Sequence, residues 1–407
     1  MKFLIINCHP DNRGDEAAIH ALVDELNQKY PECTITLLIR GSGTPYPNMP
    51  SNVKMMHQFI PASGKSKFAH EIAVLSKGSI SLSGGEKELI NEISSSDIVI
   101  HAPGGPCIGD TYYNDEPTYL KIFDLVQKMK KPYMFYAPSM GPFNNSERNE
   151  WRKRILNGAE AIALRDPISA DKVRALLPGK TIYQTLDSAL QHDIDMSENE
   201  KKLTGYEELE HFLDSHDKCI GITITDLLWH PVHSKDQKTV DNIKSTFTEV
   251  IKELTNSHYG IVFIPQLYGM GNDYNLMKSY CLNDKDFFVI PDNDERYDTY
   301  FQQYVISRLY AVIGMRYHSN IFSAKMGTPF ISVSYEQKMQ GFMEKMKLSD
   351  YCIVLGDLNE QKLIEKFRLL EVHYDEYKQY LVDIHNDMKA ESYKTTEILS
   401  DVMKRIG

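Results

Sequence analysis

The chain contains 407 residues, of which 42% are hydrophobic and 25% are charged. This length favours two domains, and this composition excludes a mainly disordered, collagen-like or coiled-coil protein. Asp and Glu outnumber Lys and Arg by 56 to 45, so the net charge is −11. Duplex nucleic acid requires a basic face, so we expect no nucleic-acid partner, although a local basic pocket for a small anion is compatible with this charge.

The sequence predicts neither a membrane span nor a secretion signal. No apolar stretch approaches the ~18 residues of a transmembrane helix. The apolar run at residues 3–8 is too short for a signal peptide, and no small-residue cleavage pattern follows it. The cysteines are scattered without a CxxC pair, which is typical of buried thiols in a cytosolic protein. We therefore expect a cytoplasmic protein without disulfides and without a zinc site.

The first half of the chain alternates between short apolar runs and amphipathic stretches. Residues 41–85, which are rich in Gly, Ser and Pro, interrupt this alternation, and only a short element at 72–75 is predicted there. Strands alternating with helices predict a parallel sheet with helices on both faces. The predicted strands are 3–8, 34–39, 97–101, 133–137 and 161–164, and the predicted helices are 15–30, 86–95, 117–130 and 147–157.

The same alternation starts again after a polar, charged segment, which predicts a second domain. We expect an α/β fold with two Rossmann-like, doubly wound domains that face a cleft, with boundaries at 1–195, 196–215 for the connection, and 216–407. The predicted strands of the second domain are 219–225, 260–265, 287–291, 311–314 and 329–333. Its predicted helices are 240–256, 274–281, 299–309 and 319–326, followed by a mainly helical tail at 361–406.

Residues that directly follow strands are the best site candidates, because ligands of open parallel sheets lie outside the carboxyl ends of the strands. The strongest candidate is the segment Gly314-Met315-Arg316-Tyr317-His318-Ser319-Asn320. Arg316 offers a planar donor suited to a carboxylate or phosphate, and His318 can act as acid or base near neutral pH. Ser319 is predicted as the N-cap of a helix whose N-terminus favours an anion. The alternative is a structural loop with a partly buried His318.

Two further segments occupy comparable positions. Arg165 follows a strand of the first domain and is expected to face the cleft, and the alternative is a surface pair with Asp166. Asn12, Gly14 and Asp15 follow the first strand, where Gly14 allows close approach of the backbone and the helix N-terminus can accept an anion or hydroxyls. The alternative there is a turn with Asp15 as the N-cap.

Weaker candidates also lie at strand ends. Binding or acceptor roles are expected for Gly104, Gly105, Ser139, Gly141, Tyr335 and Lys338, and tight turns or exposed helix starts are the alternatives. The histidines of residues 229–233 are three positions apart without a third metal ligand, so they indicate a loop. Residues 292–295 resemble a cation loop but lack the EF-hand spacing. No metal site is predicted.

Seven segments together resemble the polysaccharide pyruvyl transferase family over most of the chain, by their order and spacing. They are Asn12-Arg13-Gly14-Asp15-Glu16, Gly104-Gly105, Ser139-Met140-Gly141-Pro142, Arg165-Asp166-Pro167-Ile168-Ser169, Leu186-Asp187-Ser188-Ala189, Gly314-Met315-Arg316-Tyr317-His318-Ser319 and Tyr335-Glu336-Gln337-Lys338. The resemblance implies a fold like that of two-domain GT-B glycosyltransferases. It also implies transfer of the enolpyruvyl unit of phosphoenolpyruvate onto a sugar, closure of a pyruvate ketal and release of phosphate.

The resemblance also implies roles for individual residues. Arg165 and Arg316 match arginines that hold the carboxylate and phosphate of phosphoenolpyruvate, and His318 matches the catalytic histidine. Tyr317 and Ser319 are expected to contribute to donor binding, Tyr317 through its backbone. Phosphoenolpyruvate is a co-substrate, so no cofactor and no metal is expected.

The sequence therefore predicts a cytoplasmic pyruvyl transferase acting on a sugar of a cell-surface polysaccharide precursor. A lipid-linked acceptor would bring the protein to the inner face of the membrane as a peripheral partner. Two alternatives remain at this point: a nucleotide-sugar glycosyltransferase of the same fold, and a non-catalytic protein that closes on a carbohydrate or an anion.

Overall fold

The computed structural model describes residues 1–41, 45–268, 272–283, 285–291 and 297–407. The cation-loop pattern at 292–295 lies outside these residues. The chain divides into two compact units. The N-terminal unit comprises residues 1–10, 18–191 and 390–407, and the C-terminal unit comprises residues 11–17 and 192–389.

This division differs from the expected boundaries in three places. Residues 11–17, near the N-terminus, belong to the C-terminal unit, and residues 390–407, at the C-terminus, belong to the N-terminal unit. The expected connection at 196–215 is instead two helices of the C-terminal unit, which bury Leu203, Leu209 and Phe212. Spatial contacts define a unit, and amphipathic helices can carry many charges on their outer faces, so polar composition alone was a poor guide.

Seven parallel strands form the sheet of the N-terminal unit, in the order β3-β2-β1-β4-β6-β8-β9. They are β1 (Lys2–Cys8), β2 (Thr34–Ile39), β3 (Val53–His57), β4 (Ile98–His101), β6 (Tyr133–Tyr136), β8 (Ala161–Leu164) and β9 (Tyr183–Gln184). A separate two-stranded sheet pairs β5 (Gly104–Ile108) with β7 (Pro138–Met140). The strand order reverses between β1 and β4, which is where open α/β sheets bind ligands.

Helices pack on both faces of this sheet because its central strands are apolar on both sides. They are α1 (Arg13–Lys29), whose first turn belongs to the C-terminal unit, α2 (Gly64–Leu75), α3 (Gly84–Ser95), α4 (Glu116–Lys128), α5 (Asn149–Asn157) and α6 (Pro167–Leu176). The predictions missed β3 and placed only a short element at 72–75, which is the last part of α2. β3 is a partly exposed edge strand without an apolar run, and α2 begins with a capping box between Ser63 and Ser66 inside a segment dominated by Ser and Gly.

Six parallel strands form the sheet of the C-terminal unit, in the order β12-β11-β10-β13-β14-β15. They are β10 (Cys219–Thr223), β11 (Gly260–Phe263), β12 (Phe287–Val289), β13 (Ala311–Gly314), β14 (Phe330–Ser334) and β15 (Cys352–Val354). This second parallel sheet confirms the doubly wound α/β fold class.

The helices of this half of the chain are α7 (Met196–Thr204), α8 (Glu207–Asp214), α9 (Gln237–Asn256), α10 (Asp273–Lys278), α11 (Thr299–Ser307), α12 (Tyr317–Met326), α13 (Gln337–Lys345), α14 (Glu360–Val372) and α15 (Tyr374–Ile406). The part of α15 from residue 390 onward belongs to the N-terminal unit. No helix within the described ranges is both long enough and apolar enough to cross a bilayer.

Candidate functional site

Arg316 lies just after the carboxyl end of β13 and is the N-cap residue of α12. Its backbone N–H donates to Thr223 Oγ1 at 3.1 Å, which ties the turn to the neighbouring strand β10. The guanidinium is 95% buried, donates from Nε to Asp273 Oδ2 at 3.1 Å and pairs through Nη2 with Oδ1 of the same residue. The Trp229 ring lies 5.0 Å from Cζ. Two bonds to a single carboxylate fix the orientation of the guanidinium and leave Nη1 outside the ion pair.

Arg316 stays protonated in this environment. Burial lowers the pKa of Arg316, but the Asp273 carboxylate and the Tyr335 hydroxyl outweigh burial and raise the pKa above its ordinary value. Asp273 is itself held, since its Oδ2 accepts from the backbone N–H groups of Gln266 and Leu267 at 3.0 Å each. Sequence reasoning missed Asp273, because it lies 43 residues from Arg316 and has no motif of its own.

His318 lies in the first turn of α12 and is 95% buried. Its imidazole packs directly on the backbone of Gly14. A Cβ atom at Gly14 would lie 1.7 Å from His318 Nδ1 and 1.8 Å from its Cγ, so no side chain fits there without displacing the ring. Gly14 does allow a close approach, as expected, but the group that approaches in this structure is His318.

The segment around Gly14 is held in place by its own cap and by loop contacts. Asn12 Oδ1 accepts from the N–H groups of Gly14 at 2.8 Å and Asp15 at 3.3 Å, so Asn12 is the N-cap of α1 and the alternative that Asp15 caps this helix is wrong. The Arg13 N–H donates to Gln266 O at 3.0 Å, and the Arg13 guanidinium pairs with Glu16 at 2.6 Å. These contacts place residues 11–17 in the C-terminal unit.

One detail of α12 differs from expectation. Ser319 is not the N-cap, because the helix already begins at Tyr317. Its hydroxyl instead donates to Arg316 O at 2.7 Å and lies 2.9 Å from Thr223 Oγ1. Ser319 is fully buried and Tyr317 is 4% exposed. Ser319 therefore braces the turn that carries Arg316.

Tyr335 and Lys338 follow β14 and belong to the same unit. Lys338 Nζ pairs with Glu336 Oε2 at 2.6 Å, and Glu336 Oε1 contacts His230 Nε2 at 3.0 Å. Burial opposes ionisation of Glu336, but Lys338 and His230 outweigh it and lower the pKa of Glu336 to about 2. Tyr335 packs edge-on against Trp229, whose ring also faces Arg316.

The Trp229–His230 segment, expected to be a simple loop, is therefore packed next to the arginine. Its histidine contacts Glu336, which stands between two residues that the sequence analysis selected. The adjacency of Glu336 to Tyr335 was the signal that could have identified it. Within the described ranges, no three His, Cys, Asp or Glu side chains form a group that could hold a metal ion.

Arg165 occupies the corresponding position in the N-terminal unit, after β8 and before α6. It is 99% buried, donates from Nε to Ser139 Oγ at 3.0 Å and pairs through Nη1 with Asp187 Oδ2 at 2.5 Å. The alternative of a surface pair with Asp166 is wrong. Asp166 instead caps α6, accepting from the Ser169 N–H at 2.7 Å.

Two of the glycines selected in the N-terminal unit, Gly104 and Gly141, have a backbone conformation that favours glycine. Gly141 has a φ of +88° and closely approaches Gly109, where a Cβ atom would lie 2.6 Å from Gly141 Cα. Gly104 starts β5 with a φ of +156°, and Gly105 has open space where a Cβ atom would stand. The structure thus groups Asn12, Gly14, Asp15, Tyr335 and Lys338 with Arg316, Tyr317, His318 and Ser319, and it places Gly104, Gly105, Ser139, Gly141 and Arg165 in the other unit.

Structural similarity agrees with the expected fold. A putative UDP-N-acetylglucosamine 2-epimerase from Listeria monocytogenes superposes with a TM-score of 0.61 at 11% identity, covering 99% of this chain and 96% of that one. A UGT transferase from Siraitia grosvenorii in complex with UDP superposes with a TM-score of 0.57 at 10% identity, covering 99% and 100%. Such low identities establish the fold alone, which is a GT-B-like fold with two Rossmann-like domains.

Sequence similarity is more specific. The amylovoran biosynthesis protein AmsJ of Erwinia amylovora is 22% identical over an alignment of 438 positions, covering 100% of both chains. Residues 12–337 match the sequence profile of polysaccharide pyruvyl transferases, a span that begins at Asn12 and ends just after Glu336. The chain therefore belongs to the polysaccharide pyruvyl transferase family and is a transferase of polysaccharide biosynthesis.

Proposed function

We propose that this chain transfers the enolpyruvyl group of phosphoenolpyruvate onto a sugar of a cell-surface polysaccharide precursor, forming a pyruvate ketal and releasing phosphate. The observation that carries the proposal is the start of α12. There, Arg316 is oriented by Asp273, and His318, two residues further on, rests on the backbone of Gly14. An anion-binding group and a proton-transfer group are thus held on one short, rigid segment.

The donor carries a carboxylate and a phosphate, and both suit this segment. Arg316 supplies a fixed cation, and the N-terminus of α12 adds the partial positive charge of its backbone N–H groups. Tyr317 would contribute its backbone and Ser319 would hold the turn. Arg165 is proposed as the donor-binding arginine of the N-terminal unit, held ready by Asp187 and Ser139.

The reaction requires the vinyl carbon of the donor to become electrophilic. Protonation of its methylene creates an oxocarbenium-like centre, and one sugar hydroxyl adds to it and loses its proton. A second hydroxyl then displaces phosphate, which closes the cyclic ketal and releases a second proton. We assign His318 to relay these protons, because an imidazole can give and accept a proton near neutral pH. No redox cofactor or metal enters this scheme.

For the acceptor we propose the residues that follow the neighbouring strands. Tyr335 and Lys338 are the candidates in the C-terminal unit, with Asn12 and Asp15, and Gly104, Gly105, Ser139 and Gly141 are the candidates in the N-terminal unit. Gly14 acts as a positioning residue for His318. The acceptor is a sugar, free or lipid-linked. We propose a cytoplasmic reaction, at the inner membrane face when the acceptor is lipid-linked.

The experiment is incubation of the purified protein with phosphoenolpyruvate and an array of free and lipid-linked sugars. Phosphate release that depends on one acceptor, together with a product of the mass of a pyruvate ketal, is the expected result. The His318→Gln variant serves as the inactive control. Sugar transfer from a nucleotide-sugar, without any use of phosphoenolpyruvate, would contradict the proposal.

A further inference from the structure

A second group of polar side chains lies wholly within the N-terminal unit, at the carboxyl edge of its sheet. A polar residue lies at or next to the carboxyl end of each of four neighbouring strands: Asn7 near the end of β1, Arg40 after β2, Gln58 after β3 and His101 at the end of β4. Backbone bonds hold these ends in register, from the Arg40 N–H to Cys8 O at 2.8 Å and from the Gln58 N–H to Ile39 O at 2.7 Å. The strand order reverses here, between β1 and β4.

Arg40 is the unusual member of this group. Its guanidinium is 91% buried, donates to Thr118 Oγ1 at 2.7 Å and to Asn7 Oδ1 at 3.4 Å, and stacks 3.8 Å from the centre of the Tyr119 ring. Among the described residues, no carboxylate lies within 4 Å of it. By contrast, Arg152 and Arg165 in the same unit both pair with buried or half-buried carboxylates. A buried cation without a counter-ion is costly, so this position favours an anion from outside the chain.

Two neighbouring side chains carry polar atoms that no described residue satisfies. Asn7 is 1% exposed, and its Oδ1 accepts from Gln58 Nε2 at 2.8 Å while its Nδ2 has no partner. His101 is 2% exposed, its Nδ1 lies 2.7 Å from Ala102 O, and its Nε2 has no partner. A carbonyl oxygen only accepts, so Nδ1 carries the proton and Nε2 of the neutral ring is an acceptor.

The histidines around Arg40 are neutral, so they add no further positive charge that would compete with Arg40 for an anion. Burial lowers the pKa of His101 to about 4, and the Arg40 charge adds to this effect. Burial, Arg40 and His101 together lower the pKa of His9 to about 3. The edge thus offers a cation, an amide donor and an imidazole acceptor side by side.

We propose that this edge binds the phosphate of a sugar phosphate, with Arg40 and Asn7 Nδ2 donating to phosphate oxygens and His101 Nε2 accepting from a sugar hydroxyl. An anion with hydroxyl groups would pair with the Arg40 charge and with the two side-chain atoms that lack a partner, Asn7 Nδ2 and His101 Nε2. The inference uses residues of one unit only, and it does not depend on the proposed transfer reaction.

The test measures binding by calorimetry in an Arg316→Gln background, which removes the main cation of the donor site. The probes are inorganic phosphate, glucose 1-phosphate, UDP-glucose as a bridging diphosphate, and glucose. We expect glucose 1-phosphate or UDP-glucose to bind more tightly than inorganic phosphate or glucose. Adding Arg40→Gln should weaken that binding at least tenfold, whereas Arg174→Gln, which removes an exposed charge of the same unit, should leave it unchanged. Equal binding with and without Arg40→Gln would overturn the proposal.

Thermal unfolding separates a ligand-binding arginine from a structural one. Removing an uncompensated buried cation should leave the melting temperature of the ligand-free protein unchanged or raise it, and should abolish the increase caused by glucose 1-phosphate. A large drop in the ligand-free protein would mark Arg40 as structural and overturn the proposal. Where Arg40→Gln does not fold, Arg40→Lys keeps the charge but loses the planar fork, and unchanged affinity in that variant would also overturn it.

Discussion

In each unit an arginine follows a strand and precedes a helix, but the N-cap residue of that helix differs between the units. In the N-terminal unit, Asp166 caps α6 and accepts from the backbone and hydroxyl of Ser169 at 2.7 Å each. In the C-terminal unit, Arg316 occupies the N-cap of α12, and its side chain makes no capping hydrogen bond. The N-cap residue is thus a carboxylate bound to the helix N-terminus at α6 and a guanidinium turned to Asp273 at α12.

Under the proposed function, this difference favours the C-terminal unit for proton transfer. Both arginines are buried and paired with an aspartate, so ion pairing does not distinguish them. A helix N-terminus that carries a fixed arginine and a histidine is suited to a small anion that must also exchange protons. The N-terminal arginine stands in a closed polar network. The predictions below test how far this asymmetry extends.

The largest effect is expected at His318. Replacing His318 with Gln removes the proton relay but keeps a polar side chain, so turnover should fall by roughly 10²–10⁴-fold. Phosphoenolpyruvate affinity and melting temperature should change little, because the arginine supplies most of the attraction for the anion. The measurement is turnover beside calorimetry and thermal unfolding. A folded variant with near-normal turnover would remove the catalytic role and leave the Arg316 site intact.

The arginines come next. Arg316→Ala and Arg165→Ala should each weaken phosphoenolpyruvate binding by roughly 2–4 kcal/mol, because a charge-assisted contact is lost. Calorimetry with phosphoenolpyruvate measures this for both variants. Unchanged affinity in both would contradict the donor site as a whole.

A paired substitution sharpens the comparison at Arg165. Arg165→Ala leaves the buried Asp187 carboxylate without its partner, so stability should also fall. Arg165→Met combined with Asp187→Leu removes both charges and should recover much of that stability. Donor affinity should remain weak in this double variant if Arg165 binds the donor. Full recovery of affinity would show that Arg165 is structural.

Acid should destabilise the two units in different pH ranges. Burial lowers the pKa of His101 from 6.5 to about 4, so the unfolded chain binds more protons between these values. The contribution of neutral His101 to the free energy of unfolding is complete above pH 6.5. It is lost as the pH falls toward 4, by up to roughly 3 kcal/mol. Lys338 and His230 lower the pKa of Glu336 from 4.5 to about 2 against the effect of burial, so its contribution is lost only below pH 4.5.

Thermal unfolding between pH 7 and 3 measures these contributions. His101→Gln should flatten the stability curve above pH 4. Glu336→Gln should lower stability above pH 4.5, where the carboxylate contributes fully, and should change the slope of the curve only below pH 4.5. An unchanged slope in His101→Gln between pH 6.5 and 4 would contradict the assignment of a buried neutral imidazole.

The smallest effect is expected at Gly14. Gly14→Ala places a Cβ atom 1.7 Å from His318 Nδ1, so the ring must move, and turnover should fall by about tenfold or more with a stability cost of about 1–3 kcal/mol. Gly85→Ala is the matched control, since Gly85 is also the second residue of its helix and its nearest neighbour would lie 3.5 Å away. That control should be neutral or slightly stabilising. Full turnover in Gly14→Ala would mean that the position of His318 is not critical.

Much of the fold followed from local patterns, because β13, β8 and α12 are marked by short-range signals. The strands at 34–39, 161–164 and 311–314 have the predicted bounds, since buried parallel strands are continuous apolar runs. Less local features were not predicted. The edge strand β3 has no such run, and the polar helices α7 and α8 resemble a connection when only composition is considered.

The candidate site was predicted as separate segments, each marked by a residue suited to an anion or a proton after a strand. The partners of those residues were not predictable in the same way. Asp273 orients Arg316 from 43 positions away, and His230 reaches Glu336 across 106 positions. Side chains that meet only after folding leave no periodic signal near either partner.

The sequence by itself therefore determined the alternation of strands and helices, the positions of Arg165, Arg316 and His318 at strand ends, and the family. Only the tertiary structure decided that residues 11–17 join the C-terminal unit, that the backbone of Gly14 receives His318, and that Arg40 has no carboxylate partner among the described residues. The physical reason is the separation along the sequence over which each interaction acts. Propensity, capping and burial periodicity act over a few residues, whereas pairing of charges and close packing depend on which distant segments the folded chain brings together.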